Sequence, residues 1–360
     1  MKPFEQSVNY IEKCVERGDV CSAALAIGIG EKVYVKRCFG NTSFTPEAVP
    51  VKEDTIYDMA SVSKILSTTM IAFRLIAKGE IDLADTLERH FGSDIPADKK
   101  EIQIYHLMTH TAGFVDHMWI EKKTDNPADA LKVILDEPLA YPVGTDVKYS
   151  CIGYIVLGLL LEKVTGKTLD VLAEEEVFGP LGMKDTGYHR LNIGKDYSKN
   201  TCFTEKNHLT GEWLVGEVHD ENAYFLNGVA GNAGVFSTLD DMIRFAKMCA
   251  GMGTIEGYKY LPRRIMETAI KCYTEGKEDR RGLGFILANG FYSMSGQFFS
   301  QNAFGHNGFT GPHIMVDPDT GLWVTMLTNR VHPTRENSAH LRMRRILHTL
   351  LVTELEDLTK

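Results

Sequence analysis

The sequence predicts an α/β (α+β) fold in which an antiparallel sheet is flanked by helices and a mainly helical lobe is inserted. Strand-like patterns stand near both ends of the chain, at 22–38 and 311–329, and helical patterns dominate the stretch between them up to about residue 182. A chain of 360 residues is long enough for one large domain or for two that share an interface. We therefore predict a discontinuous sheet domain (1–75 and 235–360) and a helical lobe with irregular cleft-rim loops (76–234).

The first elements follow from short-range patterns. The N-terminal twenty residues predict an amphipathic helix, and 22–38 predict a β-hairpin around a break at Gly30-Glu31-Lys32. Gly28 and Gly30 form a GxG, but no helix follows at the dinucleotide spacing, so the hairpin is favoured. Residues 61–78 have apolar side chains at helical spacing, and Gly79 supplies the stop.

The middle and the C-terminal part complete this architecture. A polar, irregular segment is expected at 185–222, and a strand candidate at Gly282–Ala288. Further helices are predicted at Ile104–Thr109, Asp129–Leu135, Ile152–Val164 and Asn337–Leu355. The segment Gly311–Asn329 predicts a hairpin turning at Pro318-Asp319-Thr320-Gly321.

Composition limits the partners. The formal net charge is −9 and no dense basic cluster reverses it, which argues against nucleic-acid or anionic-membrane binding. The longest apolar run, Cys151–Leu161, is far short of the roughly 20 residues that a spanning helix needs. The N-terminus carries no apolar signal-peptide core, so we expect a cytoplasmic protein unless a leader was removed. The seven cysteines form no CxxC pair, which indicates free thiols.

The stretch MASVSK places Ser61 and Lys64 three residues apart at the head of the predicted helix. Residues i and i+3 share a helix face, about 5–6 Å apart. A serine at a helix N-terminus can use its own N–H in an oxyanion hole, and a desolvated lysine loses its proton more easily and can act as base. The alternative is a helix cap beside a solvated lysine.

Two further features carry chemistry. Tyr149, in KYS, stands just before a helical run, and a tyrosine beside a cationic lysine can shuttle protons. In FGHNGFTG, we expect His306-Asn307-Gly308 to form an edge strand facing the serine. Gly308 would permit close backbone approach, and the N–H of Phe309 would be a second oxyanion donor.

The order and spacing of these three motifs resemble the serine β-lactamase/penicillin-binding-protein superfamily, specifically its class C β-lactamase-like branch. The resemblance extends over most of the chain and includes 104–114, 216–237 and 329–337. It implies a β-lactamase/transpeptidase-like fold, with Ser61 as the acylated nucleophile, Lys64 as general base and Tyr149 as second proton shuttle. It also implies that Ser61 and Phe309 N–H groups form the oxyanion hole and that Cys151, His306, Asn307, Gly308 and Phe309 contact substrate.

Two positions depart from that pattern. Cys151 replaces an asparagine that helps to bind the substrate amide, and a thiol is a poor hydrogen-bonding substitute. His306 replaces a lysine that helps to bind the substrate carboxylate, and histidine is mostly neutral near pH 7. Arg330 or Arg335 could supply that recognition instead. The resemblance thus favours a carboxypeptidase- or esterase-like serine hydrolase with weak or no β-lactamase activity.

Other functions remain open at this point. A non-catalytic penicillin-binding or sensor homologue and a true class C-type β-lactamase are the alternatives. His106 and His110 have i,i+4 metal spacing, but residue 107 is Leu where a zinc protease needs Glu, and no GxSxG elbow occurs. We expect neither metal nor cofactor, and a small-molecule or short-peptide substrate; the sequence leaves the oligomeric state open.

Overall fold

The computed structural model describes residues 2–189, 191, 200–208, 210–288, 296 and 298–358. Its α-helices are α1 (Glu5–Glu16), α2 (Thr69–Lys78), α3 (Leu87–Phe91), α4 (Ile104–Met108), α5 (Ala130–Asp136), α6 (Cys151–Thr165), α7 (Leu169–Ala173), α8 (Gly179–Leu181), α9 (Glu221–Phe225), α10 (Leu239–Ala250), α11 (Arg263–Ala269) and α12 (Ala339–Leu358). Its strands are β1 (Ser22–Ile29), β2 (Lys32–Gly40), β3 (Tyr57–Asp58), β4 (Gly187–Tyr188), β5 (Phe203–Lys206), β6 (Trp213–Val215), β7 (Val235–Ser237), β8 (Thr254–Ile255), β9 (Tyr258–Lys259), β10 (Ile286–Leu287), β11 (Phe304–Asn307), β12 (His313–Val316) and β13 (Leu322–Thr328).

The main sheet is antiparallel and has the order β10-β11-β12-β13-β1-β2. Its strands come from both ends of the chain, because β1 pairs with β13 in the register Ala23↔Thr328 to Ile29↔Leu322. Most helices precede β7 in the chain. The predicted fold class is confirmed, whereas the domain boundaries at 75/76 and 234/235 stay a prediction.

The sheet is buried on both faces because the side chains of its strands alternate between two cores. On β1, Ala24 and Ala26 face a large core that includes residues of α2, α6 and α10. Ala23, Leu25 and Ile27 face a smaller core that includes residues of α1 and α12. The near-continuous apolar sequence of β1 reflects this two-sided burial.

The predicted helix at 61–78 is continuous but irregular. It starts as a 3₁₀ turn at Ala60–Val62, passes through a π-helical turn at Lys64–Thr68 and becomes α-helical in α2. Gly79 ends it with φ 75°, as the sequence predicts. The stretch Ala60–Lys78 has the length and hydropathy of a membrane span, but 78% of its apolar 18-residue part is buried inside the protein, as is typical of a core helix.

Three sequence expectations need correction. The segment 185–222 is not irregular throughout, since β4, β5, β6 and the start of α9 lie in its described residues. The candidate strand at Gly282–Ala288 shrinks to the two residues of β10. The strand β11, which carries His306, is not the edge strand, because β10 pairs with its outer side. A two-residue strand after a glycine-containing loop leaves too little alternation to be recognised in sequence.

Candidate active site

Ser61 and Lys64 are joined at the start of the helix. Lys64 is fully buried, and its Nζ donates to Ser61 Oγ over 3.0 Å and to the carbonyl oxygen of Asn232 over 3.0 Å. Cys151 Sγ lies 3.5 Å from the same Nζ. A hydroxyl oxygen, a backbone carbonyl and a thiol therefore surround the ammonium group, and they fix the lysine against the serine.

The backbone before the serine is strained. Ala60 has φ 43°, in the left-handed region that residues with a Cβ seldom adopt. Its N–H donates to the Asp58 carboxylate over 2.8 Å, and that carboxylate also accepts from the N–H of His219 over 2.8 Å. These two hydrogen bonds hold the turn that presents Ser61 to solvent.

The charge on Lys64 differs from the sequence expectation. Burial lowers the pKa of Lys64, but the ionisable groups of Cys151 and Tyr149 more than offset this, and the net pKa is raised. Desolvation does lower the pKa of Lys64, as the sequence predicts, but its neighbours outweigh this effect and favour the ammonium form. Lys64 rests as a hydrogen-bond donor to Ser61.

Tyr149 is positioned by the start of α6. Ser150 caps this helix, since its Oγ accepts from the Gly153 N–H over 3.1 Å and donates to the Val115 carbonyl over 2.6 Å. The ring centroid of Tyr149 lies 4.9 Å from Lys64 Nζ. Burial raises the pKa of Tyr149, and the Lys64 ammonium offsets this only in part. Each group shifts the pKa of the other, so Lys64 and Tyr149 titrate as an interacting pair.

The strand β11 brings a third group to the site. The His306 ring is buried, its Nδ1–H donates to the Asn307 carbonyl over 2.9 Å, and its centroid is 6.1 Å from that of Tyr149. Burial, then the charges of Lys64 and Arg281, lower the pKa of His306 well below its ordinary value, so His306 is neutral. Gly308, which follows this strand, packs against the backbone just before Ser61. An added Cβ would lie 2.6 Å from the carbonyl oxygen of Met59.

These groups open into one cavity of about 600 Å³. Among the predicted site residues, all but the buried Lys64 line it: Ser61, Tyr149, Cys151, His306, Asn307, Gly308 and Phe309. Trp119 and His219, from the predicted lobe with its cleft-rim loops (76–234), also line it. The apolar part of the wall includes Trp119, Ile286 and Leu341, so the cavity can hold an apolar group beside the polar residues.

Arg330 and Arg335 line the cavity, but their guanidinium groups are hydrogen-bonded to other residues of the protein. Arg330 donates to the carbonyl oxygens of Phe309, Arg335 and Asn337, and its guanidinium carbon lies 4.3 Å from the Phe309 ring centroid. Arg335 pairs with Glu205 over 2.6 Å and with Glu221 over 3.0 Å. Both residues support the walls, and their proposed role in carboxylate recognition stays a prediction.

Two neighbours of the predicted catalytic groups were not foreseen from the sequence. The carbonyl oxygen of Asn232 accepts from Lys64, and Arg281 lies over Tyr149 with its guanidinium carbon 5.2 Å from the ring centroid. A backbone carbonyl leaves no sequence signal. Arg281 lies in the segment RRGLGF, where its position near two glycines is the one sequence feature that could have pointed to it.

The two histidines with metal-like spacing accept hydrogen bonds from backbone N–H groups. His106 Nδ1 accepts from the Gln103 N–H and His110 Nδ1 from the Ser150 N–H, over 3.0 Å and 3.1 Å. His219 Nε2 lies 3.1 Å from a Glu205 oxygen. Within the described part of the chain, no group of three His, Cys, Asp or Glu side chains is arranged to hold a metal ion. All seven cysteines are free thiols, as predicted.

A serine hydroxyl held by a buried lysine, with a tyrosine beside both and a cavity in front, defines a serine hydrolase of the β-lactamase/transpeptidase fold. The chain belongs to the Beta-lactamase family, whose model matches residues 8–348. The resemblance seen in the sequence and the enzyme class are thereby confirmed.

Similar proteins agree with this assignment. The chain is 30% identical to "N-acetylmuramyl-L-alanine amidase" of Bacillus subtilis (strain 168), over 78% of this chain and 69% of that protein. It is 30% identical to "Putative D-alanyl-D-alanine carboxypeptidase" of Escherichia coli (strain K12), over 91% and 82%. Among solved structures, "EstCE1, a hydrolase with promiscuous acyltransferase activity" superposes with a TM-score of 0.77 and 18% identity, over 97% of this chain and 98% of that one.

Proposed function

We propose that the protein hydrolyses an amide or ester through an acyl-enzyme on Ser61. The observation that carries this proposal is the 3.0 Å hydrogen bond between Lys64 Nζ and Ser61 Oγ at the wall of the cavity. Such contact between a nucleophile and a proton-transfer group is the signature of an activated serine. The close approach of Gly308 to Met59 supports the placement of the Phe309 N–H beside Ser61.

The reaction proceeds in two halves. Ser61 Oγ bonds to the substrate carbonyl carbon while its proton passes to the Lys64–Tyr149 pair, and the carbonyl oxygen becomes an oxyanion held by the N–H groups of Ser61 and Phe309. The carbon's bond to the leaving group then breaks, and the pair returns the proton to the leaving nitrogen or oxygen. Water, deprotonated by the same pair, releases the acid and restores Ser61.

We infer a D-alanyl-peptide carboxypeptidase-like or esterase-like specificity with weak or no β-lactamase activity. The name of the Escherichia coli relative supports the first reading, the amidase name supports amide cleavage in general, and the name of the structural neighbour EstCE1 supports the second reading. Cys151 and the neutral His306 line the cavity where the resemblance implies an amide and a cation. A non-catalytic penicillin-binding homologue and a true β-lactamase remain as outcomes of the test.

The test is a panel of p-nitrophenyl esters, D-alanyl peptides and nitrocefin, run with wild type, Ser61→Ala, Tyr149→Phe and the exposed control Ser93→Ala. We expect Ser61→Ala to lose all turnover and all labelling by fluorescent penicillin or a fluorophosphonate, with mass spectrometry locating the adduct on Ser61 in wild type. Tyr149→Phe should stay folded with a large loss of rate. Turnover retained in Ser61→Ala would refute the acyl-enzyme, and a stoichiometric burst without turnover would identify the non-catalytic homologue.

A further inference from the structure

The Tyr149 ring has a second cation against it. The Lys64 ammonium lies 4.9 Å from the ring centroid and the Arg281 guanidinium carbon 5.2 Å from it. Both distances are within the range in which a cation is attracted to an aromatic ring. The reaction steps proposed above use Lys64 but give no role to Arg281.

Arg281 is held in place by its own loop. Its Nε donates to the Asp279 carboxylate over 2.7 Å, and its Nη2 pairs with the same carboxylate. Its backbone N–H donates to Thr274 Oγ1 over 2.8 Å, and its carbonyl accepts from the Tyr273 N–H over 2.9 Å. Hydrogen bonds therefore fix both the backbone of Arg281 and the Nε/Nη2 edge of its guanidinium. The remaining nitrogen, Nη1, is turned away from Asp279.

Nη1 is buried and has no hydrogen-bond partner among the residues described. The whole residue is only 6% exposed. Arg281 lines the cavity, but its Nη1 is shielded from solvent and its guanidinium lies against the Tyr149 ring, so we assign its influence on the reaction to Tyr149. The partner carboxylate of Asp279 is 30% exposed, and water screens its charge more than it screens the buried guanidinium.

The other titratable groups around the ring do not supply a cation. His110, whose ring centroid is 4.6 Å from that of Tyr149, and His306 both have pKa values well below the ordinary value, first through burial and then through the charges of Arg281 and Lys64. Cys151, Ser61, Tyr154 and the Asp220 carboxylate, which also act on Lys64 or Tyr149, carry no positive charge in any state. Among these neighbours, Lys64 and Arg281 are the groups that favour a negative charge on the phenol.

We propose that Arg281 is a positioning residue which stabilises the anionic form of Tyr149 and so enables its oxygen to accept the Ser61 proton. The proposal rests on the acyl-enzyme function proposed above. During acylation the proton leaves Ser61 Oγ, the Tyr149 oxygen takes it, and the Oγ–carbon bond forms. Arg281 gains or loses nothing in this step, because its charge is permanent.

The test is the pH dependence of kcat/KM for p-nitrophenyl acetate in Arg281→Gln and Arg281→Lys. For Arg281→Gln we expect kcat/KM at pH 7 to fall about tenfold. The acid limb of the profile, where kcat/KM falls as the pH is lowered, should move upward by about one pH unit. Arg281→Lys should stay within about threefold. Adding a cation at the neighbouring ring position, in Arg281→Gln/His306→Lys, should recover part of the shift. Arg37→Gln, at an exposed site on β2, is the charge-matched control.

An unmoved limb in Arg281→Gln, or an equal loss of rate at every pH, would overturn the proposal. If Arg281→Gln does not fold, Asp279→Asn decides: removing the counter-charge should move the limb downward, and an unchanged or raised limb rejects the role. Fluorophosphonate labelling separates the two proposals. A wild-type enzyme not labelled on Ser61 refutes the acyl-enzyme function, whereas labelled wild type with an unmoved limb in Arg281→Gln refutes the Arg281 role alone.

Discussion

Gly308 packs against the carbonyl oxygen of Met59 with no room for a side chain: an added Cβ would stand 2.6 Å from that oxygen. Gly308 does not have a positive φ, so the requirement is for space and not for an unusual backbone conformation. Gly308 N–H donates to the Pro312 carbonyl over 2.7 Å, which ties the turn to the sheet. The contact sets how near the chain at Phe309 can come to the turn that carries Ser61.

Gly308→Ala should separate these two segments. We expect kcat/KM for a p-nitrophenyl ester to fall by about 10²–10³-fold, since one oxyanion donor is displaced, and the free energy of unfolding to fall by about 1–3 kcal/mol. Gly187→Ala is the matched control, because a Cβ there meets nothing within 4 Å. Ester kinetics and urea unfolding measure both effects; wild-type kcat/KM in Gly308→Ala would show that the close approach has no role in catalysis.

Local spacing made part of the site predictable. Ser61 and Lys64 share a helix face, and Tyr149 precedes a helix whose apolar run and terminal Gly166 are plain in the sequence. The two long hairpins follow from turn residues between apolar strands. These features depend on neighbours within a few residues, which the sequence displays directly.

The rest of the site depends on contacts between distant segments. Arg281 meets Tyr149 across 132 positions of sequence, and the Asn232 carbonyl meets Lys64 across 168. No periodicity encodes such contacts. The raised pKa of Lys64 could not be foreseen either, because it results from Cys151 and Tyr149 outweighing burial.

The raised pKa values of Lys64 and Tyr149 predict an alkaline activity profile. The pKa values of both groups are raised, so at pH 7 the pair holds a proton that it must lose before it can accept one from Ser61. We therefore expect kcat/KM to increase steadily from pH 6 to pH 9. Stopped-flow or plate kinetics, corrected with Ser61→Ala for the hydroxide reaction, measure it. A profile that is flat or falls over this range would contradict the assignment.

The strained backbone at Ala60 predicts that substitution by glycine lowers activity without lowering the free energy of unfolding. A left-handed conformation costs a residue with a Cβ roughly 1–2 kcal/mol, which glycine avoids. Ala60→Gly should therefore leave the free energy of unfolding unchanged or raise it by up to about 1 kcal/mol, while kcat/KM falls about tenfold because Ser61 is held less firmly. Ala72→Gly, inside α2, should instead lose about 1–2 kcal/mol. Equal losses in the two variants would mean that Ala60 carries no strain.

Glu205, which pairs with Arg335 in the cavity wall, makes the free energy of unfolding depend on pH in the acid range. Burial alone would raise its pKa, but hydrogen bonds from His219 and Arg335 lower it to about 2. A depressed carboxyl pKa stabilises the fold above the ordinary value of 4.5, and this contribution is lost as the pH falls from there toward 2. Wild type should therefore lose more free energy of unfolding between pH 6 and pH 3.5 than Glu205→Gln, which has no proton to gain. Urea titrations at the two pH values measure the difference, with exposed Glu12→Gln as the carboxyl control; identical slopes for wild type and Glu205→Gln would exclude this ion pair as a source of acid sensitivity.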